Sequence, residues 1–262
     1  MKNNNRISVV IAVHNEADKI EKCLKTVNWV DEIIIVDGES TDDTVEICSR
    51  YTDKIFIKDN PPNFDLNKVF GMGKAKNEWI LIWDADEYMP IELKKEIILI
   101  TSSNPKEIGF FIPRINYIYG KEWKGKKDYQ MRLFKNGKAN YVKNNLHSLI
   151  NIDGEVGFLS NYFHHNAVSN LESRYNKINQ YTTIEAYCLL NDNEVKINTI
   201  NCVWYLLLKP FLIGMRLYFS EQNYKNGIAG IIWSINGSYY CFSKYSKVWE
   251  SKYLKRSGRE VD

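Results

Sequence analysis

Three clusters of polar side chains each follow a run of apolar residues: His14-Asn15-Glu16, Asp37-Gly38-Glu39-Ser40 and Asp84-Ala85-Asp86-Glu87. Short apolar runs with polar flanks are typical of buried parallel strands, whose carboxyl ends meet at one edge of a sheet. Neighbouring carboxylates repel each other unless a cation joins them. Mg²⁺ or Mn²⁺ would do so with oxygen ligands from the protein and from substrate phosphates. The spacing therefore predicts a site for a divalent metal and a phosphate-bearing ligand.

The elements that must position these clusters alternate between strand and helix. Apolar runs predict strands at Ile7–Val13, Glu32–Val36, Lys54–Ile57 and Trp79–Trp83. Apolar residues at i, i+3, i+4 and i+7 predict a helix whose buried face carries Ile20, Cys23, Leu24 and Val27. A capping box formed by Ser40 and Asp43 predicts a second helix to about Arg50, and a third helix fits Leu66–Lys76. This order predicts an α/β fold with a parallel sheet.

The pattern of apolar and polar residues changes twice in the rest of the chain. From about Ile108, short alternating stretches between Gly, Asn and Lys predict antiparallel strands or hairpins added to the sheet. Beyond about Val168, the pattern predicts helices near 168–192, 197–219 and 227–248. We therefore expect a catalytic domain over 1–165, with halves at 1–100 and 101–165, and a helical region over 166–262. No segment reaches the ~18–20 uninterrupted apolar residues of a transmembrane helix.

Composition and charge narrow the class of protein. With 262 residues, 44% of them hydrophobic and 26% charged, the chain has the composition of a folded protein. The net charge is −6 over residues 1–100, +5 over 101–165 and +4 over 166–262. The acidic part suits a metal, the basic remainder suits phosphate-rich or membrane-surface partners, and nothing requires nucleic acid. Five widely spaced cysteines without a C-x-x-C argue against a disulfide frame or structural zinc.

Several motifs together resemble a known family. The segments ISVVIAVHNE, EIIIVDGESTDDTVEIC and WILIWDADEYMP, in this order and spacing, resemble the inverting family 2 glycosyltransferases of the GT-A fold, a Rossmann-like nucleotide-sugar-binding domain. The segments DYQMRLFKNGKANYV, LHSLINIDG and SYYCFSKYSKVWE extend the resemblance to the branch of lipopolysaccharide inner-core β-1,4-glucosyltransferases. The resemblance implies transfer of a sugar, glucose in that branch, from a UDP-sugar to a glycolipid or oligosaccharide acceptor. Related branches modify other acceptors, including peptides.

The resemblance also assigns roles residue by residue. Asp37 matches the aspartate that binds the uracil ring, and the segment with Val13, Asn15 and Glu16 matches the loop that lines the nucleotide. Asp84 and Asp86 match the D-x-D motif, which implies Asp86 on the metal and Asp84 near the ribose and the metal shell. Lys68 falls where relatives carry a basic residue that faces the nucleotide or diphosphate, although Val69 replaces the Asn that follows it there. Arg132 could hold a phosphate through its fork or form a salt bridge to the acidic half.

The acceptor hydroxyl needs a general base. Asp128, which matches the family's acid before the R-L-F strand, is the first candidate, and Glu87 is the second. His147 aligns with a family histidine, and His164-His165 ends the next predicted strand. Either could reach the metal or the diphosphate, and the alternative is a hydrogen-bonded strand histidine without a functional role. The basic loop Lys121–Lys127 surrounds Trp123 and could hold acceptor phosphates, with the indole stacked on a sugar ring.

Two other classes of protein share part of this pattern. An apolar strand followed by D-x-D also describes haloacid-dehalogenase-type phosphatases, but that motif normally follows the first strand and continues with Thr or Val, whereas here it follows the fourth strand and continues to Tyr88. A catalytically silent nucleotide-sugar-binding protein is the second alternative. The aromatic and basic helices after residue 196 predict peripheral attachment to the cytoplasmic face of a membrane, and they could instead pack on the catalytic domain or form a homodimer.

Overall fold

The computed structural model describes residues 7–61, 65–142, 149–191, 195, 197–198 and 200–256. The chain divides into two units. The first comprises residues 1–117 and 127–167, and the second comprises residues 118–126 and 168–262. A short loop within the strand region thus belongs to the helical unit.

The first half of unit one is a parallel sheet built from the predicted apolar runs. Its strands are β1 (Ile7–Val13), β2 (Glu32–Asp37), β3 (Ile55–Ile57) and β4 (Trp79–Asp84), in the order β3-β2-β1-β4. The helices between them are α1 (Ile20–Val27), α2 (Thr44–Ser49) and α3 (Asp65–Met72). Every side chain of β2 is buried, as are all but one in β1 and in β4. Because the sheet is covered on both faces, its strands are apolar without alternation.

The start of α2 differs from the prediction. The Asp43 side chain makes no capping hydrogen bond. Instead, Asp42 Oδ1 accepts a hydrogen bond from the Thr44 backbone N–H at 3.1 Å. The Ser40 hydroxyl accepts a hydrogen bond from the N–H of Asn15 in the loop after β1. The predicted capping box is therefore wrong, because Ser40 joins two loops rather than beginning a helix.

The second half of unit one extends the sheet with antiparallel strands, as predicted. The chain continues with β5 (Glu87–Tyr88), α4 (Ile91–Ser102), β6 (Gly109–Ile118), β7 (Lys121–Glu122), β8 (Asp128–Lys135), β9 (Ala139–Val142), β10 (Leu149–Ile152), β11 (Val156–Phe158) and β12 (Phe163–Val168). Beyond β4 the sheet order is β8-β6-β12-β5. β9 and β10 form a separate antiparallel pair, while β11 runs parallel to β6. The two-residue strand β5, which periodicity does not predict, places the segment after the D-x-D beside β12.

Unit two is helical. It contains α5 (Leu171–Asn191), α6 (Lys209–Met215), flanked by π-helical turns at Trp204–Leu208 and Arg216–Ser220, a 3₁₀ turn at Asn223–Asn226, and α7 (Gly227–Arg256). Both α5 and α6 pack on α7. Their shared core includes Ala186, Cys241, Tyr245 and Val248. Within the described part of the chain, no helix has the length and apolar character needed to cross a bilayer.

Candidate active site

The loops after β1 and β2 are joined at the carboxyl edge of the sheet. The Gly38 N–H donates to the Val13 carbonyl at 2.8 Å, and His14 Nδ1 lies 2.6 Å from the Gly38 carbonyl. The Asn15 N–H donates to Ser40 Oγ at 2.9 Å, with Asn15 at a positive φ of 53°. The polar clusters that the sequence places after two different strands therefore form one rim.

Asp37 ends β2 in a buried position on this rim, with 1% of its surface exposed. Its Oδ2 accepts a hydrogen bond from the Ser40 backbone N–H at 2.9 Å. Its Oδ1 is buried and has no hydrogen-bond partner among the described residues. A buried carboxylate oxygen without a donor is costly. This atom therefore fits an N–H donor from a ligand that enters at the sheet edge.

Glu16 contributes mainly to the start of α1. Its carboxylate pairs with Lys19 Nζ at 2.8 Å, and its carbonyl accepts hydrogen bonds from the backbone N–H groups of Lys19 and Ile20. Its own N–H donates to Thr44 Oγ1 at 2.8 Å. These contacts fix the loop that carries Val13 and Asn15.

Asp84 lies between two cations. Lys68 Nζ is 2.6 Å from Asp84 Oδ1, and Arg132 Nη2 donates to Asp84 Oδ2 at 2.8 Å. Burial alone would raise the pKa of Asp84, but Lys68 and Arg132 outweigh it and hold that pKa well below its usual range. Lys68 is thus an ion-paired residue, and Arg132 forms the salt bridge that was one of its two predicted roles. Both oxygens of Asp84 already have cationic partners from the protein itself.

Glu87 is fully buried beneath this pair. Its carboxylate contacts Arg132 and accepts a hydrogen bond from the Asp84 N–H at 3.1 Å. Burial raises the pKa of Glu87 to about 8. The negative charges of Asp84 and Asp86 also raise this pKa, whereas the positive charge of Arg132 lowers it. With none of its surface exposed, Glu87 cannot contact an acceptor hydroxyl in this structure. It supports Arg132 and Asp84 instead, which disfavours its role as the base.

Asp86 faces a histidine from the far end of the sheet. In the β5 and β12 pair, His165 lies opposite Glu87, and His165 Nε2 is 3.5 Å from Asp86 Oδ2. His165 Nδ1 lies 2.7 Å from Asn116 Oδ1. The Asn116 amide is oriented by Asp128, because its Nδ2 donates to Asp128 Oδ2 at 3.2 Å. His165 Nδ1–H must therefore be the donor to Asn116, which leaves Nε2 to face the Asp86 carboxylate.

This pair fits a divalent ion. A neutral His165 presents the lone pair of Nε2 to a carboxylate oxygen, and a cation bound to both atoms would replace a contact between two acceptors. Among the described residues, no three His, Cys, Asp or Glu side chains converge on one point. Mg²⁺ typically takes one or two carboxylates from a protein and completes its shell with water and substrate phosphates. Asp86 and His165 are two side chains of the described part that could contribute to such a shell.

Asp128 begins β8 and is held by several donors. Its Oδ2 accepts Arg114 Nε at 2.9 Å and Arg114 Nη2 at 2.6 Å, and its Oδ1 accepts Gln130 Nε2 at 2.6 Å. Burial would raise the pKa of Asp128, but Arg114 and the hydrogen bonds outweigh it and lower that pKa. Asp128 is thus ionised and oriented. Through Asn116 it is joined by hydrogen bonds to His165, whose Nε2 lies 3.5 Å from Asp86 Oδ2.

Comparison with known proteins decides the family. The model of the family described as "Glycosyl transferase family 2" matches residues 8–166, which include every strand-end residue described above. The chain belongs to glycosyl transferase family 2. It is therefore a glycosyltransferase, and the family predicted from the sequence is confirmed.

Individual relatives agree with this membership. The glycosyltransferase is 24% identical over 259 residues to LpsC of Rhizobium meliloti (strain 1021), described as a lipopolysaccharide core biosynthesis glycosyltransferase, with 95% of this chain and 94% of that protein covered. It is 26% identical over 278 residues to an uncharacterized glycosyltransferase of Rickettsia felis, covering 94% and 90% of the two chains.

A solved structure supports the fold. The mannosyltransferase PcManGT of Pyrobaculum calidifontis, in complex with GDP-Man and Mn²⁺, matches with a TM-score of 0.52 and 12% identity over 94% of this chain and 88% of that one. Together with the family match, this similarity confirms the predicted GT-A fold with its helical extension.

The sequence of this glycosyltransferase predicts only in part which histidine lies near the D-x-D motif. His147 lies outside the described residues. His164 packs between the rings of Tyr117 and Tyr162, each 5.4 Å from it, while its neighbour His165 faces Asp86. Successive strand residues point to opposite faces of a sheet. The sequence singled out the pair, but only the pairing of β12 with β5 distinguishes its members.

The loop around Trp123 differs from its expected role as a free sugar-binding element. Trp123 Nε1 donates to Asn223 Oδ1 at 3.2 Å, and the Trp123 ring lies 5.6 Å from that of Trp233. The Lys124 N–H donates to Asn226 Oδ1 at 2.9 Å. The indole is thus half-buried and anchored inside unit two, and stacking of a sugar on it stays a prediction.

Proposed function

We propose that this glycosyltransferase moves a sugar, glucose in our assignment, from a UDP-sugar to a glycolipid acceptor with inversion and with the help of Mg²⁺ or Mn²⁺. The observation that carries the proposal is that the two aspartates of the D-x-D motif have different partners. Asp84 is neutralised by Lys68 and Arg132, whereas Asp86 faces His165 with its carboxylate. The relative LpsC supports the acceptor class by its description, and PcManGT supports a divalent metal by its bound Mn²⁺.

The residues at the donor site have separate roles in this proposal. Asp37 offers its unpartnered Oδ1 to the N–H group of the uracil ring. Asp86 and His165 would hold the metal, which would stabilise the charge of the departing diphosphate as a Lewis acid. The cationic side chains of Lys68 and Arg132 keep Asp84 ionised and fixed, so that the loop that carries Asp86 is rigid.

Asp128 acts on the acceptor in this proposal. Arg114 and Asn116 donate to Oδ2. Among the described residues Gln130 alone donates to Oδ1, which leaves a lone pair for the attacking hydroxyl. A base of low pKa is ionised throughout the neutral range. Its contribution comes from orientation and from accepting the proton as the new glycosidic bond forms, an effect of about 10²–10⁴-fold.

A ligand screen tests the donor assignment. The full chain is melted with UDP-glucose, UDP-GlcNAc or GDP-mannose, with and without Mn²⁺, and each donor is then tested for transfer and hydrolysis. A ligand at 100 times its Kd adds about 2.7 kcal/mol to stability. We expect metal-dependent stabilisation by UDP-glucose in the wild type and in the exposed control Asp59→Asn, but not in Asp86→Asn. Stabilisation by GDP-mannose alone would refute the UDP assignment, and equal stabilisation of all three proteins would remove Asp86 from the site.

We also propose that unit two attaches the glycosyltransferase to the cytoplasmic face of a membrane. Exposed large apolar side chains of α7 fall within an arc of about 80° at 100° per residue: Ile228, Ile231, Ile235, Tyr239, Phe242, Trp249 and Tyr253. A second exposed set precedes them: Val203, Trp204, Leu207, Leu208, Phe211, Leu212, Met215 and Phe219. Residues 203–256 carry eight Lys and Arg against two Asp and Glu. Such a surface suits an anionic bilayer.

Flotation with liposomes tests the attachment. We expect the wild type to float with phosphatidylglycerol vesicles at low salt, and the double variant Phe211→Asp, Ile228→Asp to remain in solution. Leu99→Asp changes an exposed leucine of α4 and serves as the matched control. A wild type that does not float but elutes as a dimer that the double variant breaks would assign the surface to a second copy of the chain.

A further inference from the structure

Unit two contains an arginine whose charge has no carboxylate counter-ion among the described residues. Arg174 lies on α5, with its guanidinium 4.3 Å from the ring centre of Trp233 on α7. Its Nε is buried and has no hydrogen-bond partner among the described residues. Burial lowers the pKa of Arg174, and the groups that oppose this shift are the tyrosines 119, 240 and 181, with no carboxylate among them. A guanidinium stays charged in proteins, so its burial calls for an anion.

Glu185 of the same helix does not supply that anion. Glu185 accepts a hydrogen bond from Tyr240 Oη at 2.6 Å and pairs with Lys244 Nζ at 2.7 Å. Both of its oxygens therefore serve residues of α7.

Two further buried polar atoms accompany Arg174. Asn236 is 2% exposed, and its buried side-chain amide lies within hydrogen-bonding reach of Tyr119. Tyr119 Oη is likewise buried, its O–H has no acceptor among the described residues, and the Tyr119 ring lies edge-on to Trp233 at 6.4 Å. The charge of Arg174 acts on the pKa of Tyr119, which shows that the two groups are close. The Arg174 Nε–H and the Tyr119 O–H are thus buried donors beside Trp233 without acceptors among the described residues, and the Asn236 amide lies next to Tyr119.

The loop over residues 118–126 adds positive charge to the same unit. It carries three exposed lysines, Lys121, Lys124 and Lys126, and is anchored by Trp123 on Trp233. Long-range attraction from these lysines would favour an anionic ligand over a neutral one.

We propose that Arg174, Asn236 and Tyr119 bind an oxyanion of the phosphate monoester or diester class, with Trp233 as the flat apolar wall beside it. The guanidinium fork and the amide supply N–H donors of the kind that phosphate oxygens accept. The phosphate would belong to a phosphorylated sugar or to an anionic lipid headgroup. The site lies wholly in unit two, shares no residue with the donor site, and does not depend on the identity of the sugar that is transferred.

Titration calorimetry and melting of the full chain test this site with inorganic phosphate, glucose 1-phosphate and phosphatidylcholine vesicles with or without phosphatidic acid. Chloride at equal ionic strength and glucose are the controls. We expect saturable binding by the wild type, a loss of about 10- to 100-fold in affinity in Arg174→Gln, and no change in Lys177→Gln, which removes an exposed charge from the same helix. Binding of glucose 1-phosphate without the vesicles indicates a sugar phosphate, and the reverse indicates a lipid.

The variant Asn236→Asp gives a second, independent test, because it is expected to stabilise the protein without phosphate. Its new carboxylate would neutralise Arg174 internally, so we expect a higher melting temperature without phosphate and no further response to it. This variant decides the matter if Arg174→Gln does not fold. The proposal is overturned if the wild type binds none of the phosphate probes, or if Arg174→Gln or Asn236→Asp binds them as the wild type does.

Discussion

The ion pair between Lys68 and Asp84 should be a strong energetic coupling. The Nζ to Oδ1 distance is 2.6 Å, and the side chains are 15% and 28% exposed, so solvent screens the pair only in part. Charge-assisted hydrogen bonds of this kind contribute about 1.5–3 kcal/mol. We therefore expect an interaction energy in this range in the cycle of Lys68→Met, Asp84→Asn and the double variant. Each single variant leaves the remaining partner less well compensated, whereas the double variant removes both.

Urea unfolding followed by tryptophan fluorescence measures this coupling. Trp79 and Trp83 report on unit one because both are buried in its core. The exposed pair of Lys25 and Glu21, 3.1 Å apart, is the control, with an expected coupling of about 0.3–0.5 kcal/mol. Additivity of the Lys68 and Asp84 variants would refute the reasoning. The cycle is then repeated with Mn²⁺ and UDP, where loss of the coupling would mean that Asp84 leaves Lys68 to bind the ion.

The remaining predictions concern the other side chains of the donor and acceptor sites. Asp86→Asn should abolish transfer and metal-dependent UDP binding at an unchanged melting temperature of the free protein, and metal-dependent turnover by this variant would contradict that role. His165→Phe should weaken activation by Mn²⁺, measured as the metal concentration for half-maximal activity, whereas His164→Phe should not. Asp37→Ala should weaken UDP binding in calorimetry by about 1–3 kcal/mol and reduce the preference for uracil over other bases. Asp128→Asn should lower kcat far more than it changes donor affinity, and an equal loss in both would make Asp128 a binding residue.

The parallel half of the sheet was predictable because local burial determines it. The runs Ile7–Val13 and Trp79–Trp83 are apolar throughout, and the structure places them in central strands. The apolar face of α1 was predictable for the same reason, since a 3.6-residue period reports one buried side. Both inferences use only residues that are close in sequence.

The contacts that define the site depend on residues far apart in sequence. Ser40 has the spacing of a helix cap, but its hydroxyl accepts a hydrogen bond from Asn15 across two loops. The role of His165 depends on the pairing of β12 with the two-residue strand β5. No local period encodes such a pairing. Trp123 shows the same limit, because its spacing among lysines gives no sign of its contact with Trp233.

The pairing of β5 with β12 joins two segments that the ribosome makes at different times. Asp86 leaves the ribosome about 80 residues before His165, a delay of roughly 4–16 s at 5–20 residues per second. Arg132, the buried partner of Glu87, is also made after the acidic loop. In the nascent chain, Asp84, Asp86 and Glu87 therefore remain a hydrated cluster of negative charge after the parallel strands β1 to β4 have been made. In the site proposed above, the contact between Asp86 and His165 can form only after β12 has been made and has paired with β5.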